Sequence, residues 1–147
     1  MGFKFRYEAL LSYRKNLKEK AELELWKART ELNQAVELLG NYEKSLEDGI
    51  ISLEENLAGS MPSEEIKTYS DYLCGLKERI GRQKQHVAEL EKTVSEKREE
   101  LLARTRQYRV IEKLKEKDFS SWNVQQLQRE QKDMNEVAVT RHGKGFF

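Results

Sequence analysis

Residues 57–66 read LAGSMPSEEI, and they mark the point where two long seven-residue apolar patterns meet. Gly59 suits the end of one helix, Ser60 or Ser63 can cap the start of another, and Pro62, the single proline, is tolerated in a first helical turn. Glu64 and Glu65 would complement the positive end of the new helix dipole. A turn is therefore predicted at about 58–63, with a helix on each side.

Upstream, leucine recurs at Leu25, Leu32, Leu39, Leu46 and Leu53, with Ala28, Ala35, Tyr42 and Gly49 three residues after the first four. That is the seam of a coiled coil. Leu10, Tyr13, Leu17 and Ala21 extend the same face, with a one-residue slip before Leu25 that resembles a stutter. Downstream, Ile66, Leu73, Ile80, Val87, Val94, Leu101 and Tyr108 form a second series, with Tyr69, Leu76, Leu90 and Ile111 on the adjoining row.

Helices joined by a short connection pack antiparallel. The fold class predicted is all-α: a long antiparallel two-helix coiled-coil hairpin in which the second helix overhangs the first. It is read as one unit over 1–147, with helix 1 at about 5–57, helix 2 at about 64–139 and a flexible tail at 140–147, where Gly143 and Gly145 stand. Counting outward from the turn sets Leu10 opposite roughly residue 112 and leaves ~25 residues of helix 2 unaccompanied, about 40 Å of helix. Phe119, Trp122, Leu127 and Met134 lie on that stretch, so a partner is expected to cover them.

The composition agrees. Charged residues make up 36% of the chain, against about 25% in an average globular domain, so a thin core is expected. The charge is unevenly placed: residues 1–20 carry six Lys/Arg against two Glu, and 104–147 carry ten basic against six acidic side chains, while 21–103 hold eleven against eighteen. Both ends are basic. Acidic residues interrupt the C-terminal basic region and no nucleic-acid motif occurs, so a nucleic-acid partner is not expected.

Catalytic chemistry finds no support. There is no Gly-rich phosphate loop, His86 and His142 are far apart, and Cys74 has no second cysteine with which to share a metal or a disulfide. Adjacent pairs such as Glu64/Glu65 and Glu99/Glu100 point in different directions on a helix. The sequence therefore predicts neither an enzyme nor a cofactor. His86 reads as a solvated seam-edge residue and Cys74 as a small, buried or half-buried filler. No run approaches the ~20 apolar residues of a membrane span, and nothing reads as a signal peptide, so a cytoplasmic protein without direct membrane insertion is expected.

Residues 69–80, YSDYLCGLKERI, raise a narrower question. Leu73 and Ile80 fall in the strict series and Tyr69 and Leu76 on the second row, whereas Tyr72 points to the flank. Tyr72 is thus the best candidate for an exposed aromatic, with Leu76 at the edge of the seam.

Three segments in order, FKFRYEALLSYRKNLKEKAE at 3–22, YSDYLCGLKERI after the turn and REQKDMNEVAVTR at 129–141, resemble the FliJ family of flagellar type III export proteins over essentially the whole chain. The resemblance implies a non-catalytic, stalk-like hairpin at the cytoplasmic face of the inner membrane, peripheral to it through the export apparatus. It implies as partners the hexameric export ATPase FliI with its regulator FliH, the export-gate protein FlhA, and export chaperones. The end carrying both termini would enter the ATPase ring through Phe3, Phe5, Leu10, Leu11, Arg14, Phe119, Trp122, Gln131, Lys132, Met134 and Glu136. The gate would meet Tyr69, Tyr72, Leu73 and Leu76, with Tyr72 standing where some relatives have Phe. In the C-terminal pattern Gln131, Lys132, Glu136 and Ala138 match, but Asn135 replaces a common aspartate, which removes one charge. Two alternatives are a stalk protein of a virulence type III secretion system and a generic self-associating coiled-coil scaffold.

Overall fold

A computed structural model describes residues 2–59 and 61–144, with side chains described through Arg141. Two α-helices account for nearly all of it: α1, Glu8–Leu57, of 50 residues, and α2, Ser63–Lys144, of 82 residues. Their packing is that of an all-α helical hairpin. Contacts sort the chain into two compact units, one of residues 1–19 with 102–147 and one of residues 20–101.

The connection in the second unit follows from its residues. The last turn of α1 tightens as Ala58 N–H donates to Glu54 and Gly59 N–H to Asn56. The Pro62 carbonyl accepts from Ile66 N–H at 3.1 Å, so Pro62 occupies the cap position and Ser63, Glu64 and Glu65 form the first turn of α2. Ser60, the other cap candidate, lies outside the described residues.

In that unit α1 and α2 run antiparallel along the expected seam. Leu25, Ala28 and Val94 form a buried cluster flanked by Leu32 and Leu101, and Leu73, Leu76, Ile80 and Val87 are buried nearer the turn. Two polar side chains share the adjoining row of α2. Gln83 donates its Nε2–H to the Ala35 carbonyl at 2.9 Å, and the Lys97 ammonium reaches Glu24 at 3.2 Å. A two-helix seam buries only one stripe of each helix, which is why no side chain is fully enclosed among the described residues.

The first unit pairs the start of α1 with the second half of α2. Phe5, Leu11 and Ile111 are buried together, with Phe3, Leu10, Tyr108 and Leu114 packed on them. The opposition expected of Leu10 and residue 112 is thus met within a residue, and of the face expected there Leu10 and Leu17 are half-buried and Ala21 is buried. Only Tyr13 departs, 60% exposed, and Leu11, Arg14 and Lys18 also turn to α2. Arg14 donates to the Gln107 carbonyl at 2.8 Å, and the Lys18 ammonium lies 5.1 Å from the centre of the Tyr108 ring. Leu11 and Lys18 lie on the same seven-residue series as Leu25. The register therefore needs no stutter; two cations at seam positions disguise it, Arg14 bonded to a carbonyl and Lys18 set over an aromatic ring of the opposite helix.

Helix α2 passes the expected end at residue 139. Thr140 donates its hydroxyl to the Glu136 carbonyl at 2.9 Å, and neither a proline nor a cap follows before Lys144. Of the expected tail, residues 140–144 are thus helical, and 145–147 lie outside the described residues.

Candidate functional site

In the first unit the ladder of side chains between the helices runs out at Glu8, whose carboxylate is 3.0 Å from the Lys115 ammonium. Residues 2–5 then continue as non-helical chain against α2. Phe3 presents its ring to Phe119 at 5.3 Å and 67° and to Trp122 at 6.0 Å, while Phe119 and Trp122 stack on each other at 6.2 Å and 17°. Phe119 and Trp122 are therefore not bare, as expected of the overhang, but partly covered by the chain's own N-terminal segment. The unaccompanied part of α2 begins after Trp122.

Residues 123–141 of that helix carry an apolar stripe on one face, with Val124 and Val139 also exposed but off that face. Leu127 is 65% and Met134 71% exposed, and Val137 also faces out. Together with Phe119 they follow a spacing of eight, seven and three residues, which keeps them on one face of a helix. Asp133, Ala138 and Arg141 border the shallow depression around Met134 and Val137. About 22 residues of helix with no neighbour are marginal in water by propensity alone, so this stripe has both the area and the motive to be covered.

The second unit offers a smaller surface at the turn. Tyr69 and Tyr72 lie 6.1 Å apart, ring to ring, and with Met61, Thr68, Glu64 and Glu65 line a shallow groove. Tyr72 is 53% exposed, whereas Leu76 is 4% exposed and Leu73 is likewise buried. Of the residues assigned to the gate, Tyr72 is open to a partner and Tyr69 half-open, and Leu73 and Leu76 belong to the seam. Cys74, read as a filler, is exposed because it follows Leu73 onto the outward face.

The residues assigned to the ring divide in the same way. Phe5 and Leu11 are buried and Phe3, Leu10, Arg14 and Trp122 half-buried, while Phe119, Gln131, Lys132, Met134 and Glu136 are exposed. Arg14 is engaged with Gln107. Val137 was not singled out from the sequence, although its three-residue spacing from Met134 could have found it. Lys18 and Gln83 were missed as seam residues because a pattern search counts apolar side chains only.

Among the described residues no group of His, Cys, Asp and Glu could hold a metal ion, and no helix is long and apolar enough to cross a membrane. What the surface displays is contact chemistry: an aromatic slot, a bare apolar stripe and an aromatic groove at a turn.

Comparison with known proteins agrees with this picture. The flagellar FliJ protein of Bacillus subtilis (strain 168) is 23% identical over 141 residues, covering 95% of each chain. Among solved structures, a protein from Chlamydia trachomatis described as a YscO homologue, CT670, superposes with a TM-score of 0.56 at 21% identity, covering 97% of this chain and 99% of that one. That likeness is one of fold. The sequence profile of the family described as "Flagellar FliJ protein" matches residues 3–145, and the chain belongs to that family.

Proposed function

We propose that this protein is a non-catalytic stalk of the flagellar type III export apparatus, with its first unit engaging the hexameric export ATPase FliI and its second unit meeting the export gate. The observation that carries the reading is the apolar stripe on the unaccompanied part of α2, where Leu127 and Met134 are 65% and 71% exposed. Covering such side chains stabilises by roughly 25 cal/mol per Å² of apolar surface removed from water, and a ring pore would cover a single helix from several sides. The basic balance of residues 1–20 and 104–147 supports steering toward an acidic pore wall, which acts on orientation and association rate more than on affinity.

Tyr72, with Tyr69 beside it, is the surface proposed for the gate protein FlhA; Leu73 and Leu76 hold the helices behind it. The ATPase regulator FliH and export chaperones complete the proposed set of partners. The chain would work in the cytoplasm and reach the inner membrane only through these proteins.

The test is a full-length double variant, Leu127→Asp with Met134→Asp. It should lose stimulation of FliI ATPase activity and bind the hexamer at least tenfold more weakly, with the thermal midpoint kept. Unchanged binding and stimulation would refute the reading.

A further inference from the structure

We infer that Phe3 is a displaceable cover: the chain's own N-terminal segment occupies an aromatic slot on α2 that the partner of the stripe takes over on docking. This rests on the reading that the stripe docks into the export ATPase. Three observations carry it.

The first is how the segment is held. Residues 2–5 precede α1, and Phe5, 8% exposed, anchors them beside Leu11 and Ile111. Phe3 lies beyond that anchor, half-buried, with its ring on Phe119 and Trp122. A segment outside the helical ladder can lift from its outer end without breaking the hairpin, as low-stability local openings do.

The second is incomplete cover. With Phe3 in place, Phe119 remains 45% exposed. An edge-to-face contact leaves much of the ring open, so the slot can accept a more enclosing occupant.

The third is position. Phe119 heads the face on which Leu127, Met134 and Val137 follow, so a body that covers the stripe to its end arrives where Phe3 sits. The two cannot share the same edge of the Phe119 ring. An incoming apolar or aromatic side chain would replace the phenyl group, and aromatic contacts of this kind shift an equilibrium by about two- to tenfold. Cover and partner thus compete, and removing the cover should tighten docking by a factor of that size.

The sign of the effect is the test. In full-length chain carrying Trp26→Phe, Trp122 is the sole indole, and adding Phe3→Ala should red-shift its emission without loss of helicity. Binding to purified FliI hexamer, followed by sedimentation, should become about two- to tenfold tighter for Phe3→Ala and weaker for Phe119→Ala. If Phe3→Ala weakens binding as Phe119→Ala does, Phe3 belongs to the interface and is no cover; unchanged affinity also overturns the inference. Failure of the parent chain to bind the hexamer removes the function reading and the cover with it, whereas binding with the wrong sign removes the cover alone.

Discussion

A methyl group of Leu73 fills the space in which residue 49 would carry a Cβ: an ideal Cβ built on Gly49 lies 2.6 Å from Leu73 Cδ2 and 3.7 Å from the Tyr69 hydroxyl. The glycine lets α1 approach α2 closely beneath the aromatic groove. Gly40 and Gly81 have nothing within 4 Å of the same position.

Glycine-to-alanine substitutions should therefore differ in effect. Gly40→Ala and Gly81→Ala should each stabilise by about 0.5–1 kcal/mol through helix propensity. Gly49→Ala should lose that gain to displacement of the buried Leu73 side chain, and Gly49→Leu should destabilise by about 1–3 kcal/mol as overpacking does. Urea unfolding of the three alanine variants checks this, and a Gly49→Ala as stabilising as Gly40→Ala would show the approach to be loose.

Tyr72 and Leu76, joined in the family resemblance, should separate on mutation. Leu76→Ala removes a buried seam side chain and should cost about 2–4 kcal/mol. Tyr72→Ala, at an exposed position, should stay within about 0.5 kcal/mol. Thermal unfolding followed by circular dichroism measures both; equal losses would place Tyr72 in the core.

Gln83 is useful because its donor meets a carbonyl. In Gln83→Glu an ionised carboxylate would face the Ala35 oxygen, with no proton to donate, and should destabilise by about 1–2 kcal/mol at neutral pH. The deficit relative to the parent should shrink as pH falls to about 4, where the carboxyl regains its proton. A deficit that does not change with pH would mean that the side chain turns out to solvent.

Alkaline pH should probe both units. The Lys97 ammonium is held above its ordinary pKa by its hydrogen bond to Glu24 and by that carboxylate's charge. The Tyr108 hydroxyl is raised by its hydrogen bond to Glu112 and by burial. In both cases the fold favours the protonated form, so the contribution is present below the unfolded pKa and is lost as pH rises through the folded one. The midpoint should be flat from neutral pH and fall above about pH 10, and Glu24→Gln with Glu112→Gln should reduce that fall. An equal fall in the double variant would trace the alkaline loss to other groups.

The two helices, their antiparallel pairing and the turn at Pro62 were legible in the sequence, because two seven-residue apolar repeats joined by a short connection can bury their stripes against each other, and a proline is tolerated where a new helix starts. The tertiary structure decided which positions face the partner helix wherever the repeat is carried by charged or polar residues. Arg14, Lys18 and Gln83 reach groups of the opposite helix, and only folding brings those groups near. The register already set Tyr72 on the flank; the tertiary structure decided Leu76, which the register left at the edge of the seam and the family resemblance assigned to the gate, as a buried seam residue. Phe3 belongs to that second kind: it lies far in sequence from Phe119 and Trp122, no periodicity links them, and the contact exists because the hairpin returns α2 to the beginning of the chain.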